Sequence, residues 1–184
     1  MAAFVGTAVV LTTLDMIPAS FAAAWWLLVL LVARNDLADF LIPDEASLAI
    51  ALLGLAQVAT LSLVAGQSVV ECLTSLAAAL VRGSAAAAFL WAIGRTFRLV
   101  SGREGLGFGD VKLMGASCIW LAPMQQAIAL ELAVLAALAV IFVARRSDAR
   151  DSGVILPFGA FLAPAAWLAH VADRLSPGLF EAGS

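Results

Sequence analysis

The residues in this sequence that are best suited to chemistry are carboxylates at the ends of apolar segments. Six of them form two clusters, one after the first long apolar run and one before a later run: Asp36, Asp39, Asp44, Glu45, Glu104 and Asp110. A carboxylate at such a boundary is often no more than a solvated loop end. Position alone therefore assigns none of them a role, and the neighbouring residues must separate the candidates.

Asp110 has the most unusual surroundings of the six. It follows the sequence Gly-Leu-Gly-Phe-Gly at 105–109 and opens an apolar segment. A carboxylate at a helix start meets unpaired N–H groups and the positive end of the helix dipole. Gly107 and Gly109 lack Cβ atoms, so that backbone or an extended substrate can approach closely. A glycine-rich turn with a capping aspartate is the simpler alternative, and both interpretations stay open at this point.

Asp36 is the candidate partner carboxylate. It ends the first long apolar run and is followed by Ile42-Pro43-Asp44, where the proline breaks the helix and favours extended backbone before it. Two carboxylates in a partly desolvated cleft share a proton, so one serves as base and the other as acid in peptide hydrolysis. A divalent-cation site built on the same oxygens is a further interpretation. We prefer the metal-free pair, because two carboxylates suffice.

Composition places these acids in a membrane protein. The 184 residues are 64% hydrophobic and 12% charged, with a mean hydropathy of +1.05, whereas a soluble domain is about 45–50% apolar and about 25% charged. The net charge of −3 without a basic tract argues against nucleic acid as a partner. The single histidine, His170, and the two cysteines, Cys72 and Cys118, predict neither a zinc site, a disulfide nor a Ser-His-Asp triad.

The apolar runs predict an all-α, polytopic transmembrane bundle that forms one domain over residues 1–184. We expect six crossings: Met16 to Asn35, Ser47 to Ala65, Ala79 to Leu99, Val111 to Leu121, Met124 to Ala144 and Leu156 to Ala172. The fourth is only about 16 Å long, against a hydrocarbon thickness of about 30 Å, and Pro123 stops it. Its start must therefore lie below the membrane surface, which makes the preceding loop the floor of a cavity. Residues 2–14 either lie at the interface or extend the first helix.

The basic residues predict which side faces the cytoplasm. Most of the ten Lys and Arg residues fall on one side of the six-crossing arrangement: Arg34, Arg95, Arg98, Arg103, Lys112, Arg145, Arg146 and Arg150. Arg82 and Arg174 fall near the opposite ends of the third and sixth crossings. The positive-inside rule then places the loops 36–46, 100–110 and 145–154 in the cytoplasm.

Several other residues have structural explanations that compete with functional ones. Glu131 lies within the fifth crossing, where packing against Arg82 is as good an explanation as catalysis. We expect His170 to be interfacial. The tryptophans are expected to anchor or fill helices: Trp25, Trp26, Trp91, Trp120 and Trp167.

At this point three segments show a family resemblance. Gly107-Phe108-Gly109-Asp110 with Val111-Lys112-Leu113 is similar to the Gly-x-Gly-Asp-x-Lys signature of the type IV prepilin peptidases, which are bacterial membrane aspartyl proteases. Asp36 before Ile42-Pro43-Asp44 resembles that family's other catalytic aspartate, which precedes Ile/Leu-Pro-Asp/Asn. Leu156-Pro157-Phe158-Gly159 resembles the segment that opens the family's last helix.

The resemblance implies a catalytic pair, Asp36 and Asp110, in a loop shaped by Gly107 and Gly109. Pro43, Asp44 and Lys112 are implied to bind substrate or shape the loop, although Lys112 also fits as one of the cytoplasmic bases. The implied activity is removal of the short basic leader from prepilin-like proteins, at the cytoplasmic face of the bacterial inner membrane and without a cofactor.

The resemblance also distinguishes branches of this group. The bifunctional members carry a cysteine-bearing N-terminal region associated with N-methylation, and no CxxC precedes Asp36, so methyl transfer is not expected. The chain resembles the short members that serve tight-adherence (Flp-type) pili. The presenilin-like branch pairs Gly-x-Gly-Asp with a Tyr-Asp, which a sequence without tyrosine does not contain. The alternative function is a non-enzymatic membrane scaffold or small transporter with a carboxylate-lined cavity.

Overall fold

The computed structural model describes residues 16–103, 105–146 and 156–176, and this part of the chain folds into six α-helices without strands. They are α1 (Met16–Asp39), α2 (Asp44–Val64), α3 (Val69–Ser101), α4 (Phe108–Cys118), α5 (Pro123–Arg146) and α6 (Gly159–Leu175). Four of them, α1, α2, α3 and α5, are long and apolar enough to cross a membrane. The predicted helical membrane bundle is confirmed, with α4 and α6 as its shorter helices. The predictions for residues 2–14 and Glu104 lie outside the described residues.

The third helix is longer than its predicted crossing, Ala79 to Leu99. It begins at Val69 because Ser68 and Glu71 form a capping box, in which the Ser68 N–H donates to Glu71 Oε2 at 2.7 Å and the Glu71 N–H donates to Ser68 Oγ at 3.3 Å. It ends at Ser101, where Gly102 adopts the left-handed conformation with φ 69°. Its 33 residues give a length of about 50 Å, more than a bilayer core requires.

The short helix α4 packs against α2, α3 and α6 at the centre of the bundle. Its contact with α3 is made by backbone, because a Cβ added to Gly83 would lie 2.6 Å from the carbonyl oxygen of Gly115. A Cβ added to Gly115 would lie 3.0 Å from Ala87 Cβ. Small residues at such a crossing let membrane helices approach closely, so these two glycines set the position of α4.

An aromatic cluster fixes the carboxyl-terminal end of α4. Trp25 of α1 stacks on Trp120, just beyond α4, with ring centroids 4.4 Å apart, and His170 of α6 packs edge-on against both rings. The Trp120 indole N–H donates to the Ile50 carbonyl of α2 at 2.9 Å. The expectation that His170 is interfacial is wrong, because these rings leave it only 3% exposed. Trp25 and Trp120 are buried too, and both fill the interior.

We predict that Gly83→Ala destabilises the protein, because its methyl group would meet the Gly115 carbonyl and push α4 away from α3. Overpacking of this kind costs about 1–3 kcal/mol, which thermal unfolding in detergent would detect as a lower Tm. Gly94→Ala on the same helix is the matched control, because its methyl group would only reach ordinary contact with Leu106 at 3.4 Å. Equal Tm values for the two variants would contradict the backbone contact.

Candidate active site

Asp36 lies in the last turn of α1, where its carboxylate turns into the bundle and is 4% exposed. Its Oδ2 accepts a 2.7 Å hydrogen bond from the backbone N–H of Ala160, in the first turn of α6. A helix amino terminus stabilises negative charge, because its N–H groups have no partners within the helix. The α6 amino terminus therefore holds the Asp36 carboxylate in place.

Asp110 lies in the first turn of α4 and is 9% exposed. The residue that caps α4 is Gly107, with φ −69° and ψ 143°, and no side chain caps this helix. Asp110 therefore lies in the first turn of α4 and not at the N-cap position that the sequence suggested. A Cβ on Gly107 would lie 3.1 Å from Asp110 Oδ2, so the glycine allows the loop to pass directly beside the carboxylate.

The two carboxylates meet at the amino terminus of α6. The backbone N–H of Gly159 points toward both of them. Burial disfavours the charged form of Asp110 and the Asp36 carboxylate repels it, and together they raise the pKa of Asp110 to about 6, against the opposing N–H groups of Gly107 and Gly159. Asp110 Oδ1 accepts no hydrogen bond within the described part of the chain. A pair of this kind favours a single shared negative charge near neutral pH.

Ile42 lies between Gly109 and Gly159, beside the Asp36 carboxylate. A Cβ on Gly159 would lie 2.5 Å from Ile42 Cδ1 and 3.1 Å from Asp36 Oδ2, so the tip of the isoleucine lies beside the carboxylate. A Cβ on Gly109 would lie 3.2 Å from Ile42 Cβ. The isoleucine therefore lies between the glycines of two different motifs, and both must lack a side chain to admit it.

Lys112 forms an ion pair next to the segment that carries Ile42. Its ammonium group pairs with the Asp44 carboxylate in the first turn of α2 and lies 5.2 Å from the centre of the Phe108 ring. Pro43 occupies the N-cap position of α2, and its carbonyl accepts the N–H groups of Ala46 and Ser47. Lys112, Pro43 and Asp44 thus connect the start of α4 to the start of α2.

The remaining acidic candidates lie apart from the pair. Asp39 and Glu45 are exposed near the ends of α1 and α2. Glu131 is exposed on α5, where it lines a largely apolar groove of about 680 Å³ with residues of α3 and α4. The Arg82 guanidinium donates to the Ile119 carbonyl at 3.3 Å. No group of three or more His, Cys, Asp or Glu side chains that could hold a metal ion occurs within residues 16–103, 105–146 and 156–176.

Three contributors to the site were missed from the sequence: Ile42, Gly159 and Ala160. Ile42 and Gly159 both lie in segments that the sequence had singled out, the Ile-Pro-Asp and the Pro-Phe-Gly. Neither was assigned to the site. An aliphatic side chain that only packs beside a carboxylate, and a backbone N–H that only donates a hydrogen bond, cannot be recognised from residue types in a sequence.

We predict that Asp110→Asn makes the protein more stable at pH 7. An acid whose pKa is raised by folding binds more protons in the folded state than in the unfolded state. For Asp110 this holds at pH values between its ordinary pKa, about 4, and its raised pKa, about 6. The free energy of unfolding therefore falls as the pH rises through that interval. Asparagine removes this loss, so the Tm of the variant should exceed that of the wild type at pH 7, and the difference should shrink by pH 4.5.

Asp39→Asn is the matched control, since Asp39 is exposed near the end of α1 and its substitution should leave the Tm at pH 7 unchanged. A wild-type and an Asp110→Asn protein with the same pH dependence of Tm would show that Asp110 is not the perturbed acid.

Comparison with known proteins gives an independent view of the chain. Residues 21–143 match the Type IV leader peptidase family. The prepilin leader peptidase/N-methyltransferase of Aeromonas hydrophila is 32% identical over 146 residues, which cover 78% of this chain and 46% of that protein. Proteins of the same name from Pseudomonas aeruginosa and Dichelobacter nodosus are 39% identical over 84 and 80 residues, or 44% and 43% of this chain and 28% and 26% of theirs.

The chain spans less than half the length of these curated relatives, and no solved structure matches it. The family match nevertheless covers well over half of the chain and includes both Asp36 and Asp110. This chain belongs to the type IV leader peptidase family.

Proposed function

We propose that this protein is a membrane aspartyl endopeptidase that removes the short basic leader from prepilin-like membrane proteins. The observation that carries the proposal is the meeting of Asp36 and Asp110 at the α6 amino terminus, with the pKa of Asp110 raised to about 6. The family relationship gives the class of substrate. The proposal takes residues 1–184 as one membrane-embedded peptidase domain.

The two acids have different surroundings, and these suggest their roles. Asp36 accepts the N–H of Ala160, and in the proposed mechanism it is the ionised partner that takes a proton from the attacking water. Asp110, with its raised pKa and an Oδ1 free to bond, is the protonated partner and donates a hydrogen bond to the developing oxyanion. The proton held by Asp36 then passes to the nitrogen of the leaving peptide segment as the C–N bond breaks.

The charges near the site suit a basic leader. Asp39 and Glu45 are exposed close to the ends of the helices that carry the site. Exposed acids beside the site attract a basic segment and raise its local concentration. In the six-crossing arrangement predicted from the sequence, most bases fall on the same side as the two acids, so by the positive-inside rule we infer that the proposed site faces the cytoplasm of a bacterial cell.

We predict that Asp36→Asn and Asp110→Asn each reduce leader removal at least about 1000-fold, because neither acid can replace the other in a pair that acts as a unit. Purified protein should be incubated with the prepilin-like proteins encoded in its own genome, and the products separated by mass. Glu131→Gln is the control, because Glu131 is exposed on α5 and lies apart from the pair, and this variant should cleave at the wild-type rate. Near-normal cleavage by both dyad variants would contradict the proposal.

Two further outcomes of this assay separate the alternatives. A carboxylate pair that needs no metal keeps its activity in a chelator, whereas a divalent-cation site loses it. A non-enzymatic scaffold or transporter produces no cleavage in any arm of the assay.

We predict that the chain after α5 faces the cytoplasm. An alkaline phosphatase reporter fused at Asp148 should be inactive, because this enzyme needs the oxidising environment outside the cytoplasm to form its disulfides. A fluorescent protein fused at the same position should fluoresce. An active phosphatase fusion would reverse the proposed orientation.

A further inference from the structure

We propose that Ile42 occupies a substrate subsite between Gly109 and Gly159 and that a substrate must displace it to reach the two acids, an inference that rests on the peptidase function proposed above. The isoleucine would then act as a built-in competitor of the substrate. The linker that carries it, residues 40–43, would be the lid of the site.

The acids are enclosed in the arrangement seen here. Asp36 is 4% exposed and Asp110 is 9% exposed, and Asp110 Oδ1 lies buried without a partner among the described residues. The isoleucine tip and Asp36 Oδ2 lie within 2.5 and 3.1 Å of the same point, the position of a Cβ on Gly159. A peptide bond cannot lie against both acids while Ile42 holds this position.

The linker that carries Ile42 is short and non-helical. It joins α1 to α2 through four non-helical residues, with Phe40 in the left-handed region at φ 54°. A residue other than glycine is disfavoured in this region, so the backbone conformation of Phe40 must be held by the surrounding structure. Phe40 is 50% exposed and Leu41 is 69% exposed, so Ile42 is the linker side chain that enters the site. The ion pair between Lys112 and Asp44 is the outer fastening of the linker.

The chemistry of the subsite indicates what replaces Ile42. Its walls are two glycines, and it now holds one branched aliphatic side chain. Such a space accepts an aliphatic side chain of similar size on an extended backbone, and the absence of Cβ atoms on both walls lets that backbone approach the carboxylates. We assign this space to the substrate residue next to the scissile bond.

Thiol labelling tests the lid without any need for activity. Single-cysteine variants Ile42→Cys and Leu41→Cys, in a background with Cys72→Ala and Cys118→Ala, are treated with a water-soluble maleimide. We expect Leu41→Cys to react at least about tenfold faster than Ile42→Cys, because only the latter thiol is held in the site. Adding Lys112→Gln should increase the labelling rate of Ile42→Cys but not that of Leu41→Cys, since it removes the ion pair with Asp44. Equal labelling rates for the two single-cysteine variants would overturn the proposal that residues 40–43 form a lid. A labelling rate of Ile42→Cys that does not change when Lys112→Gln is added would overturn it as well.

Steady-state kinetics tests the competition. When a protein must open before it binds, its apparent affinity is reduced by the fraction that is open. Ile42→Ala weakens the competitor, so we expect a KM at least about threefold lower, with kcat within about twofold of the wild type. Ile42→Val should shift KM in the same direction by less, and it replaces the alanine variant if that variant fails to fold. Leu41→Ala is the matched control and should leave both constants unchanged.

A purely structural role for Ile42 predicts a different result. Loss of packing would lower kcat or the yield of folded protein without lowering KM, and either outcome without a fall in KM overturns the proposal. If the wild-type protein cleaves no prepilin-like protein at all, the proposed function fails, while the labelling rates still decide whether Ile42 closes the site.

Discussion

Two carboxylates buried beside each other cannot both ionise at low cost, and the arrangement of this bundle follows from the need to hold such a pair. The amino terminus of α6 stabilises the negative charge of the pair. The N–H of Ala160 donates a hydrogen bond to Asp36, and the N–H of Gly159 interacts with both acids. Backbone donors suit this task, because they carry no charge that would lock both acids in the ionised state. Burial and the remaining repulsion from Asp36 together raise the pKa of Asp110.

The shortness of α4 is the second requirement of this arrangement. A helix of 11 residues cannot cross a bilayer alone, and it is supported from all sides by α2, α3 and α6. The glycine contact between Gly83 and Gly115 holds it against α3, and the Trp25, Trp120 and His170 cluster holds its far end. The acid at its start is thus placed by packing that lies well away from the acid itself.

The family match and the geometry complement each other. The match ends at residue 143, whereas the N–H donors that organise the pair come from residues 159 and 160. Similarity over part of a chain can therefore identify the two acids and still leave out the element that joins them. The position of Ile42 likewise depends on its packing against Gly109 and Gly159, which are far from it in the sequence.

The helical membrane bundle could be predicted from residue types alone, as could the candidates Asp36, Asp110 and the glycines beside Asp110, because apolar runs and glycine spacing are local properties. The sequence also contained the capping box that starts α3 at Val69, a local signal that was overlooked. Three features depend on the packing of the whole bundle: the hydrogen bond from the Ala160 N–H to Asp36, the position of Ile42 beside Asp36 and the burial of His170. Every residue supplies the same backbone N–H, and burial depends on which distant residues pack together, so neither can be read from residue types along the chain.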